Sequence, residues 1–138
     1  MERYNYEKAV ENDVREWIKE NSKQLDFSDR GELEERLNEE LWITDSVTGN
    51  ASGSYTFSTW EAEENLCHNF DLLGEALQEF GCGPEYITEK GPEACDVTIR
   101  CYLLGQSITA VLDDYYNGKL QAEIAEFHSC LESMGEKA

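Results

Sequence analysis

The chain of 138 residues is long enough for one domain that buries roughly two thirds of its unfolded surface. Its 30 acidic residues against 11 basic ones leave a formal net charge of −19, far past the magnitude of about 2–8 that solubility of a small domain needs. Hydrophobic residues make up 40% of the chain, which excludes the composition of a disordered acidic segment, and the negative field argues against direct binding to nucleic acid or anionic lipid.

In chain order, Tyr6, Val10, Val14, Trp17 and Ile18 line one face of a first helix over Tyr6 to Asn21, with mixed charges on the rest. Ser28 and Asp29 supply N-cap chemistry for a second helix striped by Leu33, Leu37 and Leu41, with Trp42 beside its end. Beyond it the pattern turns extended. Ile43, Thr44, Val47 and Thr48, the glycine-punctuated passage from Gly49 to Gly53, and Tyr55 and Phe57 alternating with polar residues predict a β-hairpin near 43–59.

Ser58 and Glu61 stand at capping-box spacing and open a third helix of roughly twenty residues, striped by Leu66, Phe70, Leu73, Leu77 and Phe80 and closed by Gly81. Residues 81–91 read as a loop with one short extended piece at Tyr86 to Thr88. Pro92 starts a fourth helix to Asn117, whose stripe of Val97, Cys101, Leu104, Ile108, Val111 and Tyr115, widened by Ile99, Leu103 and Leu112, makes it the expected centre. Leu120, Ile124, Phe127, Leu131 and Met134 define a last helix before a polar tail from about 135. The expected fold is α+β: a single, mainly α-helical domain of about five helices with one small β-hairpin.

No uncharged apolar run reaches the roughly 18–20 residues of a membrane span, because Asp96, Arg100 and Gln106 interrupt the most apolar stretch. Cys67, Cys82, Cys95, Cys101 and Cys130 form an odd set, and no secretory hydrophobic region stands near Met1, so reduced thiols and a cytoplasmic location are expected. The cysteines and His68 and His128 lack the paired spacing of a zinc site, and Cys67 and Cys82 lie in the most anionic stretch, where a thiolate nucleophile is disfavoured. The passage from Gly49 to Gly53 lacks the lysine of a phosphate-binding loop. With 30 acids in the chain, pairs of carboxylates arise by chance, and no acid is set apart by an apolar surround. Neither a metal, a cofactor nor an enzyme activity is expected.

The charge itself is then the best guide to function. From Leu37 to Glu89 there is no lysine or arginine. Glu61, Glu63 and Glu64 are partly explained by the favourable helix start they occupy. Asp71, Glu75 and Glu79 follow one another at four-residue spacing with no cation between them, a ridge costing a few tenths of a kcal/mol per neighbouring pair. The expected partner-binding carboxylates are Glu61, Glu64, Asp71, Glu75 and Glu79, supported by Glu39, Glu40 and Asp45. Tyr55 and Trp60 are candidate aromatic anchors or core residues.

The runs Asp45 to Phe57, Glu63 to Cys67 and Cys95 to Tyr102 make the chain, over about Tyr4 to Leu112, similar to short acidic proteins of bacterial phages and integrative mobile elements. That class includes anti-CRISPR and anti-restriction inhibitors, some of them DNA mimics. The resemblance implies a non-enzymatic inhibitor whose carboxylates occupy the basic nucleic-acid-binding groove of a CRISPR effector or restriction enzyme. The alternative is a helical interaction module acting through an apolar or homodimer face.

Overall fold

A computed structural model describes residues 4–50 and 64–137, with side chains to residue 132. Helix α1 spans Tyr6–Asn21, and Asn5 caps it by accepting the Lys8 backbone N–H at 3.0 Å. The predicted stripe of Tyr6, Val10, Val14 and Ile18 is buried, and a short 3-10 turn at Ser22–Gln24 leads away from it. Helix α2, Arg30–Trp42, is capped by Asp29, which accepts the Glu32 N–H at 3.2 Å, and buries Leu33, Leu37 and Leu41. A cap of this kind contributes about 1 kcal/mol.

Helices α3 (Phe70–Glu79), α4 (Glu85–Lys90), α5 (Pro92–Tyr116) and α6 (Lys119–Lys137) complete the order. As the apolar spacing predicted, α5 is central: it packs against each of the other five helices. Its Ile99, Leu103, Leu104, Ile108, Val111 and Leu112 are almost wholly out of water. Burial at this level is worth about 1.5–3 kcal/mol per large aliphatic side chain.

The α+β expectation is overturned: among the described residues the chain is all-helical, and there is no strand. The first arm of the predicted hairpin is a tight turn. Val47 and Thr48 both donate their N–H to the Thr44 carbonyl, at 3.1 and 2.9 Å, and the Thr48 hydroxyl donates to the Trp42 carbonyl at 2.9 Å. Those local bonds use the donors a ladder would need, an alternative that threonine readily offers its own backbone. Val47 and Thr48, neighbours in sequence, are both buried, whereas a half-buried strand would turn them to opposite faces. Residues 51–59, the remainder of the predicted hairpin, lie outside the described residues, as do Trp60 and Glu61.

The third predicted helix is interrupted. Residues 64–67 are helical, His68 and Asn69 form a turn, and α3 restarts at Phe70. Asn69 is 1% exposed and its side-chain amide donates to the carbonyls of Asn65 and Tyr4, both at 2.9 Å. Of the predicted stripe, Leu66, Leu73 and Leu77 are buried, with Leu72 and Ala76 beside them, whereas Phe70 and Phe80 are exposed. The loop expected after Gly81 contains the one short helix α4, tied to α5 by a 3.2 Å bond from the Thr98 hydroxyl to the Tyr86 hydroxyl.

Candidate partner-binding surface

Arg100 is the one fully buried cation among the described residues, and Arg15, Lys19 and Arg30 are partly buried. Arg100 of α5 is 1% exposed beside Asp96, also 1% exposed. Its Nε donates to Asp96 Oδ2 at 3.1 Å, Nη1 to Asp13 Oδ2 at 3.2 Å and Nη2 to the Tyr4 hydroxyl at 3.3 Å, while the Tyr6 hydroxyl donates to Asp96 Oδ1 at 2.6 Å. Burial opposes the Arg100 charge, but the fields and hydrogen bonds of Asp96 and Tyr4 outweigh it and raise its pKa. Burial, then the adjacent Asp96 carboxylate, pushes the Tyr6 hydroxyl well above the ordinary tyrosine range. This buried network joins α1 to α5. Its sequence signal was present but unread: opposite charges four residues apart inside an apolar run.

At the C-terminal end of α5, Asp113 and Asp114 sit where the helix dipole disfavours carboxylates. Both are compensated. Arg30 pairs with Asp113, while Arg15 pairs with Asp114 and with Glu123 at 2.6 Å. The Arg15 hydrogen bond holds the Asp114 carboxyl below its ordinary pKa. Lys19 adds contacts to Glu16 at 3.0 Å and Glu123 at 3.6 Å.

The predicted binding carboxylates lie on other elements. Asp71, Glu75 and Glu79 are exposed along α3. Asp71 occupies the first turn, where the dipole favours it, and engages another group in the chain. Glu79 occupies the unfavourable last turn, and no basic residue shares that turn. Glu39 and Glu40 stand likewise in the last turn of α2 without a basic neighbour in that turn. Glu39 is exposed, whereas Glu40 is partly buried and paired with Arg36 at 3.2 Å. Asp45 is partly buried and engaged within the chain, and Glu64 is partly buried in the helical residues 64–67. Glu61 falls outside the described residues.

The ends of α2 and α3 meet. The Trp42 and Phe80 rings, at the end of α2 and at the C-cap of α3, stand edge to face with centroids 5.8 Å apart. Trp42, Phe80, Tyr86, Val97 and Cys101 line a cavity of about 370 Å³ at this junction. Burial pushes the Cys101 thiol up to about 11, against a smaller opposing effect of the Thr48 hydroxyl. Ile43 and Phe70 are each 61% exposed, and Phe80 and Trp42 are 40% and 38% exposed. Sequence reasoning missed this apolar component because Phe70 and Phe80 fit the spacing of the stripe, yet Phe70 stands at the edge of the buried face and Phe80 caps the helix end. The turn-forming pair His68-Asn69 was the available signal for the helix break before Phe70.

Elsewhere, His128 Nε2 lies 2.8 Å from the Ser22 hydroxyl beside a cavity of about 310 Å³. Ser22 Oγ also donates to the Lys19 carbonyl at 3.1 Å, and the buried His128 Nδ1 meets no hydrogen-bond partner, so no carboxylate orients the ring as a catalytic triad requires. Among the described residues no three histidine, cysteine or acidic side chains converge as a metal-ligand set, and no helix is long and apolar enough to cross a membrane. No protein-family model, curated protein or solved structure matches this chain.

Proposed function

We propose that this protein is a non-enzymatic inhibitor that binds the basic nucleic-acid groove of a bacterial defence protein, a CRISPR effector or a restriction enzyme, as a DNA mimic. The observation that carries the reading is the wrong-end placement of Glu39 and Glu79, in last turns that contain no cation, on two helices whose ends touch. Acids at such positions weaken the fold, and a cationic partner would relieve them. From Asp71 to Glu79 the ridge spans about 12 Å at 1.5 Å per residue. Duplex DNA carries about seven charges over that length. The ridge alone is therefore too sparse to match DNA, and Glu39, Glu40 and Asp45 are the supporting charges this reading needs.

The test is binding to a purified nuclease of that type at low and high salt, with duplex DNA as competitor. The expected complex weakens steeply with ionic strength and is displaced by DNA. Binding indifferent to both salt and DNA would sink the proposal. A second reading, an interaction module acting through an apolar face, is favoured by the exposure of Trp42, Ile43, Phe70 and Phe80. It predicts the salt-indifferent outcome.

A further inference from the structure

An apolar groove of about 240 Å³ runs along one edge of α3, between it and α4, where the buried Leu73 and Leu77 meet Phe70, Gly74, Pro84 and Ile87. Gly74 is its least expected member. Glycine inside a helix is destabilising relative to alanine, and its usual justification is a backbone or ligand that approaches closely. A Cβ at Gly74 would meet nothing within 4 Å, so among the described residues no atom supplies that approach.

The charges around the groove have one sign. At 100° per residue, Phe70, Gly74 and Leu77 share a strip of α3, and Asp71, Glu75 and Glu79 occupy the adjoining strip. Across the groove, α4 exposes Glu85 and Glu89. A second copy of this chain would bring a net charge of −19 against the same surface, which disfavours self-association there. A heterologous segment with an apolar row between basic flanks satisfies both the groove and its rims.

We propose that the groove receives an amphipathic helix of a partner protein, its apolar row laid over Gly74 and its lysines or arginines facing the carboxylates on either side. Helices seat in grooves between helices through side chains at three- and four-residue spacing, and the missing side chain at Gly74 lets the incoming helix lie close. The proposal rests on the reading of the acidic surface as a site for a basic protein and specifies the segment recognised.

The test uses two synthetic peptides of about eighteen residues with identical leucine and lysine composition, one patterned as an amphipathic helix and one scrambled. Affinities are measured for the wild-type protein and for Gly74→Leu, and backbone amide shifts locate the contact. Leucine at an open helical position is expected to leave the thermal midpoint at or above that of the wild type, which keeps the variant informative. The patterned peptide is expected to bind at least about tenfold tighter than the scrambled one, to shift amides of α3 and α4, and to lose about tenfold in affinity to Gly74→Leu. Equal binding of the two peptides, or indifference to Gly74→Leu, overturns the groove while leaving the acidic surface in place. Absence of binding by both peptides overturns the acidic-surface reading and the groove with it. Concentration-dependent dimerisation abolished by Gly74→Leu overturns the heterologous partner in favour of a second copy.

Discussion

The C-terminal end of α5 and the joined C-terminal ends of α2 and α3 face the same electrostatic problem and resolve it differently. Each carries carboxylates in a last turn, where the exposed carbonyls already make the potential negative. On α5, Arg30 and Arg15 reach across from other elements and neutralise Asp113 and Asp114. At the other end, among the described residues, Glu40 is paired with Arg36 of its own helix, and the wrong-end charges of Glu39 and Glu79 are exposed. The fold therefore has the means to neutralise such acids and uses them on one side. Under the proposed function, this asymmetry, more than the total of −19, is the reason for directing an external cation to the α2–α3 end.

The neutralised side should break most severely at its buried centre. Arg100→Met leaves Asp96 and Asp13 facing each other without their shared cation, and removing one partner of a buried ion pair costs about 3–5 kcal/mol. Urea unfolding should read that loss. Tyr6→Phe removes one hydrogen bond to the same carboxylate, and a loss of about 1–3 kcal/mol is expected. If Arg100→Met proved no worse than Tyr6→Phe, the network would be a set of independent contacts rather than one buried unit.

Arg15→Ala tests the neutralised helix end itself. Because Asp114 has its pKa lowered by Arg15, the folded state holds its proton less tightly than the unfolded state. The resulting stability is present above the ordinary carboxylate range and is lost as pH falls through the lowered folded pKa. Wild-type stability should therefore fall more steeply than that of Arg15→Ala on acidification from about pH 5 to about pH 2. Parallel acid limbs would remove Asp114 from the account.

How much of this was legible in the sequence depends on how local the deciding physics is. The stripes of α1, α2 and α5 were readable because apolar spacing and a cap such as Asp29 act within a turn or two. The strand assigned to 43–48 failed because β-branched side chains favour extended chain only when a partner strand is at hand, and here Thr44 and Thr48 bond to the preceding turn instead. The ridge at Asp71, Glu75 and Glu79 was visible from spacing, but the meeting of Trp42 with Phe80 just past its end was not, since that depends on the tertiary fold. The exposed apolar groove was hidden for a related reason. Its place between α3 and α4 depends on how the short helix α4 packs back, which the spacing within α3 does not encode.

The smallest effect is also the sharpest comparison, because its sign differs between the two ends. Glu79→Lys replaces an acid in the last turn of α3 with a base, removes a like-charge neighbour of Glu75, and breaks no recorded ion pair among the described residues. It should stabilise the protein by a few tenths of a kcal/mol up to about 1 kcal/mol. Asp114→Lys makes the same reversal at the end of α5, with the same dipole term in its favour, yet it sets a lysine against Arg15 and removes one of that residue's partners, leaving Glu123. It should destabilise by about 1 kcal/mol, the scale of a charge-assisted hydrogen bond lost at a partly exposed site. Thermal or urea midpoints measured at low and high salt would resolve the pair, and both shifts should shrink as salt screens them. Destabilisation by both variants would mean that Glu79 is as well placed within the fold as Asp114, and the argument for an outward-directed charge at the α2–α3 end would lose its basis.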